Sequence, residues 1–152
     1  MKHSKLMKER VRRVSVLLRE LGFETLDGEY LEETYSAGFE SGDGFQGAIY
    51  IDRDSKFLEL AYSFSFSSNL ADFVQGKIEE MMQICYEYCC YYTLQTAAKE
   101  ITFTVFGKIY YAGLNYYALK ETVRDYRDAI ESLTDLLELK SELGKGATGG
   151  NA

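Results

Sequence analysis

The sequence has no Pro, no Trp, a single His and only three Cys in 152 residues. Each scarcity excludes something. One His, at position 3, leaves no base for a Ser-His or Cys-His nucleophile pair. It also leaves structural zinc short of ligands, since Cys85, Cys89 and Cys90 supply only three thiolates and zinc wants four N or S donors. An odd Cys count, with two of the three adjacent, is not a disulfide framework and fits a reducing cytoplasm. No apolar run approaches the roughly 18 residues of a membrane span. The longest one near the start, Val14-Ser15-Val16-Leu17-Leu18, runs into Arg19-Glu20 with no small-residue cleavage site after it, so it is not a secretory signal. Internal repeats and Pro-rich or Ser-rich linkers are missing too, and the length suits one domain. We expect that domain over residues 1–143, followed by a disordered Gly-rich tail over 144–152.

Charge is present in both signs but unevenly placed. The net charge is −7. Residues 1–20 hold seven bases (Lys2, Lys5, Lys8, Arg10, Arg12, Arg13, Arg19) against Glu9 and Glu20, while the rest of the chain is strongly acidic. An acidic body repels nucleic acid and anionic lipid. Membranes are therefore not expected as partners and nucleic acid is disfavoured. The basic first helix is the one feature that favours a regulator binding nucleic acid, although such a charge run ordinarily is a solvated face.

Hydrophobic spacing sets out the elements. Met7, Val11, Val14, Leu18 and Leu21 recur at helical intervals over 4–21, and Gly22 stands where a left-handed cap is wanted. Between 23 and 67, glycines punctuate short runs rich in Tyr, Phe and Ile, which predicts strands near 30–39, 45–52 and 56–66. Asn69 can cap a helix whose stripe is Leu70, Val74, Ile78, Met81, Cys85 and Tyr88. The β-favouring run Cys89-Cys90-Tyr91-Tyr92-Thr93 argues for ending that helix near 88 and starting a strand at 89. A turn at 96–99 leads to a strand from 101 to about 112. A last helix over 116–143 carries Leu119, Val123, Tyr126, Ile130, Leu133 and Leu137. The expected class is α+β, an antiparallel β-sheet with helices packed on it, in the order α-β-β-β-α-β-β-α.

Candidate chemistry is sparse. Asp52 and Asp54 lie in a turn, and a calcium loop counted from Asp52 would put Phe57 and Ser63 where Gly and Glu are required. Gly42-Asp43-Gly44 lies between strands and does not follow the strand–loop–helix pattern of a phosphate cradle. We expect no catalytic residues, no metal site and no cofactor. The compositional excess is in aromatics: 13 Tyr and nine Phe. Tyr86, Tyr88, Tyr91, Tyr92, Tyr110, Tyr111, Tyr116 and Tyr117 gather in the second half, and Tyr is enriched at interfaces. Tyr110, Tyr116 and Tyr117 are candidates for partner contact. Leu119, Val123 and Ile130 are candidates for either a dimer seam or plain core.

The chain also resembles a known family. The carriers are the first helix ending in Leu21-Gly22-Phe23, the stretch Ile49-Tyr50-Ile51-Asp52 followed by Phe57-Leu58-Glu59-Leu60, and a helix from Leu70 leading to Ile101-Thr102-Phe103. Over about residues 4–140 they are similar to the bacterial YbjN-like family (sensory-transduction regulators) with the type III secretion chaperone-like fold. Gly113-Leu114-Asn115-Tyr116-Tyr117 and Cys89-Cys90 depart from its pattern. The resemblance implies a small cytoplasmic homodimer without enzymatic activity, a chaperone, adaptor or regulator that holds an extended segment of a client protein. It transfers no catalytic residues. A nucleic-acid-binding regulator and a small-ligand-binding protein are the alternative functions.

Overall fold

The computed structural model describes residues 4–137. His3, the expected end of the last helix near 143 and the expected tail at 144–152 lie outside the described residues. The elements run α1 (Lys5–Glu20), β1 (Phe23–Leu31), β2 (Thr34–Ser41), β3 (Gln46–Asp52), β4 (Phe57–Ser67), α2 (Ala71–Gly76), α3 (Ile78–Glu87), β5 (Tyr91–Thr96), β6 (Glu100–Tyr110) and α4 (Tyr116–Leu136), with single 3-10 turns before α2 and before α4. The class is α+β. The six strands form one antiparallel sheet in the order β1-β2-β3-β4-β6-β5. By contact density the described chain divides into two compact units, residues 4–61 with 108–123 and residues 62–107 with 124–137. β4, β6 and α4 contribute residues to both.

Unit one is α1 against the first strands. Ser4 caps α1 by accepting from the Met7 N–H at 3.0 Å. Gly22, at φ +94, takes the left-handed position that ends it. Met7, Val14 and Leu18 are buried with Phe23, Phe39, Ile49, Ile51, Leu58 and Leu60. The expected strand over 30–39 is a correction: it is two strands, so the order gains a fourth strand before the middle helices. Leu31 pairs with Thr34 across a two-residue loop of Glu32-Glu33, and Glu32 holds φ 58. A Glu in the left-handed region without Gly or Asn is uncommon, so the loop carries no sequence signal. The ladder imposes it, helped by the Arg53 N–H donating to the Glu33 carbonyl at 2.9 Å and an Arg53–Glu33 ion pair at 3.0 Å.

Unit two contains the middle helices and the second hairpin. Ser67, rather than Asn69, provides the cap before α2, its hydroxyl accepting from the Asn69 N–H at 3.2 Å. The single helix expected from 69 to 88 is interrupted after Gly76, where the Lys77 N–H turns to Val74 O at 3.0 Å. Val74, Met81 and Cys85 are nevertheless buried, as their spacing requires. The expected end near 88 holds, and 91–96 is strand. The terminator is a Schellman motif: Cys90 N–H donates to Cys85 O at 2.8 Å and Cys89 N–H to Tyr86 O at 3.2 Å, with Cys89 at φ 57. In β6, Ile101, Phe103 and Val105 are buried while Thr102, Thr104 and Phe106 are partly exposed, a period of two. In the unit-two part of α4, Tyr126, Ile130 and Leu133 are all buried, as is Leu137 directly after it.

Candidate functional site

Tyr110, Tyr116 and Tyr117 all fall in unit one. β6 ends at Tyr110, whose side chain is 62% exposed. Its ring meets Phe57 edge-on at 5.9 Å. Lys108 Nζ lies 4.5 Å from the centre of the same Phe57 ring and 3.9 Å from Glu59. Asn115 then caps α4, its side chain accepting from the Ala118 N–H at 2.8 Å. That cap holds Tyr116 and Tyr117 on the first turn, perpendicular to each other at 5.2 Å. Tyr117 is 75% exposed, and Lys120 Nζ stands 6.0 Å from the Tyr116 ring centre. Rings with cations beside them are amphipathic contact surface.

Arg10 and Arg13 are not simply members of a solvated basic face. The Arg10 guanidinium lies over Tyr111 at 4.1 Å, and its Nη1 donates to the Ser55 carbonyl at 3.1 Å. Arg13 donates to the Leu114 carbonyl. α1 therefore braces the segment that presents Tyr110 and Tyr116. Burial pushes the Tyr111 phenol up to about 12, with Arg10 pulling it the other way. Its hydroxyl is buried without a hydrogen-bond partner. The sequence offered no signal for these links, which join residues more than 40 positions apart.

For the three residues read as either dimer seam or plain core, burial favours core. Leu119, Val123 and Ile130 are 0, 5 and 3% exposed, so they are core within one chain and present nothing to a second copy. Their even spacing was compatible with either role, because a helix stripe is the same pattern in both.

In unit two the exposed apolar surface belongs to β5, an edge strand with every residue from Tyr91 to Thr96 exposed. The readable signal was the absence of any charged residue from Tyr88 to Ala98 in an otherwise charge-rich chain. The thiols nearby are quiet. Burial, first, pushes Cys85 up to about 11 and Cys90 up to about 12. Both are protonated at neutral pH and so are weak nucleophiles and ligands. Among the described residues no group of three or more His, Cys, Asp or Glu is placed to hold a metal ion, and no helix is long and apolar enough to cross a membrane.

The class defined so far is an α+β protein with an open antiparallel sheet and exposed aromatic surface. No family model matches the sequence, and neither does any curated protein. A solved structure does match: an uncharacterized protein from Methanothermobacter thermautotrophicus, with a TM-score of 0.60 and 12% identity, over 88% of this chain and 98% of that one. At that identity the likeness is one of fold.

Proposed function

We propose that the chain is a non-enzymatic protein-binding module, a chaperone or adaptor that captures a segment of a partner protein, as its resemblance to the YbjN-like family and to secretion chaperones implies. The observation that carries this reading is the exposure of Tyr110 and Tyr117, 62 and 75%, on a segment braced from beneath by Arg10 and Arg13. Rigid tyrosines held out into solvent offer contact area at small entropic cost on binding. Lys120 beside the Tyr116 ring favours a partner segment that carries acidic as well as apolar side chains.

The test is recovery of partners from the native cell extract, comparing the natural chain with Tyr110→Ala/Tyr117→Ala. The reading expects one protein in fixed ratio with the natural chain and its loss with the double variant. Recovery of nothing, or equal recovery by both, refutes it.

A further inference from the structure

We infer that Cys85 and Cys90 form a reversible disulfide across the end of α3, a modification site whose oxidant is a small dialkyl disulfide such as oxidised glutathione. The inference goes beyond partner capture and concerns unit two alone. Two observations carry it: the backbone distance imposed by the hydrogen bonds that end α3, and the sides on which the three thiols lie.

The helix end sets the distance. The Cys90 N–H donates to the Cys85 carbonyl at 2.8 Å, so these two residues are the ends of the longer Schellman hydrogen bond. A Cα lies about 2.4 Å from its own carbonyl oxygen and about 1.5 Å from its own nitrogen. With the 2.8 Å bond between them, the two Cα atoms are at most about 6.7 Å apart even if every link were in line, and the bends at O and N bring them closer. Disulfides span roughly 4.4–6.8 Å between Cα atoms. The same motif ordinarily packs the side chains of these two positions against each other.

The sides on which the thiols lie exclude the other pairings. Cys85 is buried, Cys90 is half-buried and Cys89 is exposed. Cys89 holds φ 57, and that left-handed turn carries its side chain outward while its neighbour in the chain turns inward. A Cys89–Cys90 bridge would close a strained ring through one peptide bond between thiols that diverge. A Cys85–Cys89 bridge would join the core to the surface. Cys90 Sγ, by contrast, turns back onto the end of α3 and donates to the Tyr88 carbonyl at 3.5 Å. Burial pushes the Cys90 thiol up to about 12, and Cys85 is the first of the nearby groups whose charge adds to that push.

The exchange runs in two displacements. The half-buried Cys90 sulfur loses its proton to solvent and attacks one sulfur of oxidised glutathione, so that a mixed disulfide forms and one glutathione thiolate leaves. Cys85, deprotonated in turn, attacks the Cys90 sulfur. The bridge forms, and the second glutathione thiolate leaves. The protein pair has given up two electrons and two protons, and oxidised glutathione has become two glutathiones. Raised proton affinities make both attacks slow at neutral pH. They also make the two sulfurs poor leaving groups, so reduction of the bridge is slow as well. The position of the equilibrium is set instead by how closely the folded chain holds the pair. In a compartment that keeps glutathione reduced both remain thiols, and the bridge forms when that poise shifts.

The experiment equilibrates the purified folded chain in glutathione buffers of rising oxidised fraction at mildly alkaline pH, followed by mass spectrometry. One alkylating reagent before reduction and a different one after it distinguish free from bridged thiols. The oxidised chain is expected to be two hydrogens lighter, with the first label on Cys89 and the second on Cys85 and Cys90, and dithiothreitol is expected to reverse it. Half-oxidation is expected at an oxidised fraction at least about tenfold lower than for the same chain in urea, where the fold no longer holds the pair together. Cys85→Ser should stop at the glutathione adduct of Cys90, whereas Cys89→Ser should bridge as the natural chain does. Should Cys85→Ser not fold, the labelling of the natural chain decides. A bridge through Cys89, within or between chains, overturns the inference. So do three first labels at every buffer composition, and so does an equal response in urea. None of these results depends on whether Tyr110 and Tyr117 bind a partner.

Discussion

Arg10→Ala should destabilise the chain by about 2 kcal/mol. Arg10 makes two separable kinds of interaction: charge-assisted hydrogen bonds from Nη1 to the Ser55 carbonyl at 3.1 Å and, more weakly, to the exposed Arg53 carbonyl at 3.4 Å, and a stack on Tyr111 at 4.1 Å. The first is worth about 1.5–3 kcal/mol when enclosed, and the second about 0.5–1 kcal/mol where solvent has access. Arg10 is only half-buried, so the lower part of each range applies. Arg10→Lys keeps the charge but loses the planar fork, and should cost about 1 kcal/mol. Tyr111→Phe keeps the ring under the guanidinium and removes a buried hydroxyl without a partner, so it should be neutral or stabilising by up to about 1 kcal/mol. Urea unfolding followed by circular dichroism measures all three, with unchanged m-values. A second readout is alkaline titration of tyrosine absorbance, in which losing Arg10 should move Tyr111 ionisation still higher, because Arg10 holds it down. An Arg10→Ala variant within about 0.5 kcal/mol of the natural chain, or a Tyr111→Phe variant as damaged as Arg10→Ala, would refute the bracing role.

Four further outcomes are expected. Cys89→Gly should stabilise the chain by about 1 kcal/mol by urea unfolding, since Cys89 sits at φ 57 in the cap position glycine prefers. Gly28→Ala should cost about 1–3 kcal/mol, because the Tyr35 hydroxyl occupies the place of the new Cβ and Tyr35 Cζ would be 2.7 Å away; a melting temperature equal to that of the natural chain would contradict this. Phe103→Ala empties a fully buried position touching Phe64 and Tyr92 and should cost about 3–5 kcal/mol, whereas Phe103→Leu should cost less than about 1.5 kcal/mol. Stability should fall above pH 9. Cys85 and Cys90 have folded values raised to about 11 and 12 from 9, and Tyr111 to about 12 from 10. Groups raised in the folded state keep their protons there while the unfolded chain releases them. Their contribution is thus whole below pH 9 and is lost as pH rises through 9–12. Unfolding free energies that are level from pH 8 to 11 would contradict it.

Local order was legible where a short-range rule operates. The α1 stripe ended at Gly22 as glycine's left-handed preference requires, and the stripe from Leu119 to Leu137, along α4 and one residue past it, is buried at all six positions. Composition also outweighed periodicity correctly at 91–96, where β-branched and aromatic residues become β5, although the strand expected from 89 starts two residues later because Cys89 and Cys90 form the turn that ends α3. Other features are set by partners distant in the chain. The hairpin at Glu32-Glu33 has no turn residues and exists because seven pairs of β1 and β2 hold it shut. Arg10 reads like any other base of α1 until Ser55 and Tyr111 are placed beside it. Leu119, Val123 and Ile130 carry a spacing that says only that one face is covered, and the fold supplies the cover from within the same chain.

The sequence by itself thus determined the α+β class, the faces of the helices and the alternation of the strands, because periodicity and capping act over a few residues. Only the tertiary structure decided that β5 lies outermost in the order β1-β2-β3-β4-β6-β5, with an uncharged edge open, while the acidic β1 closes the other side. Strand order is a matter of which backbone groups find one another over long loops, and no residue's own preference encodes it.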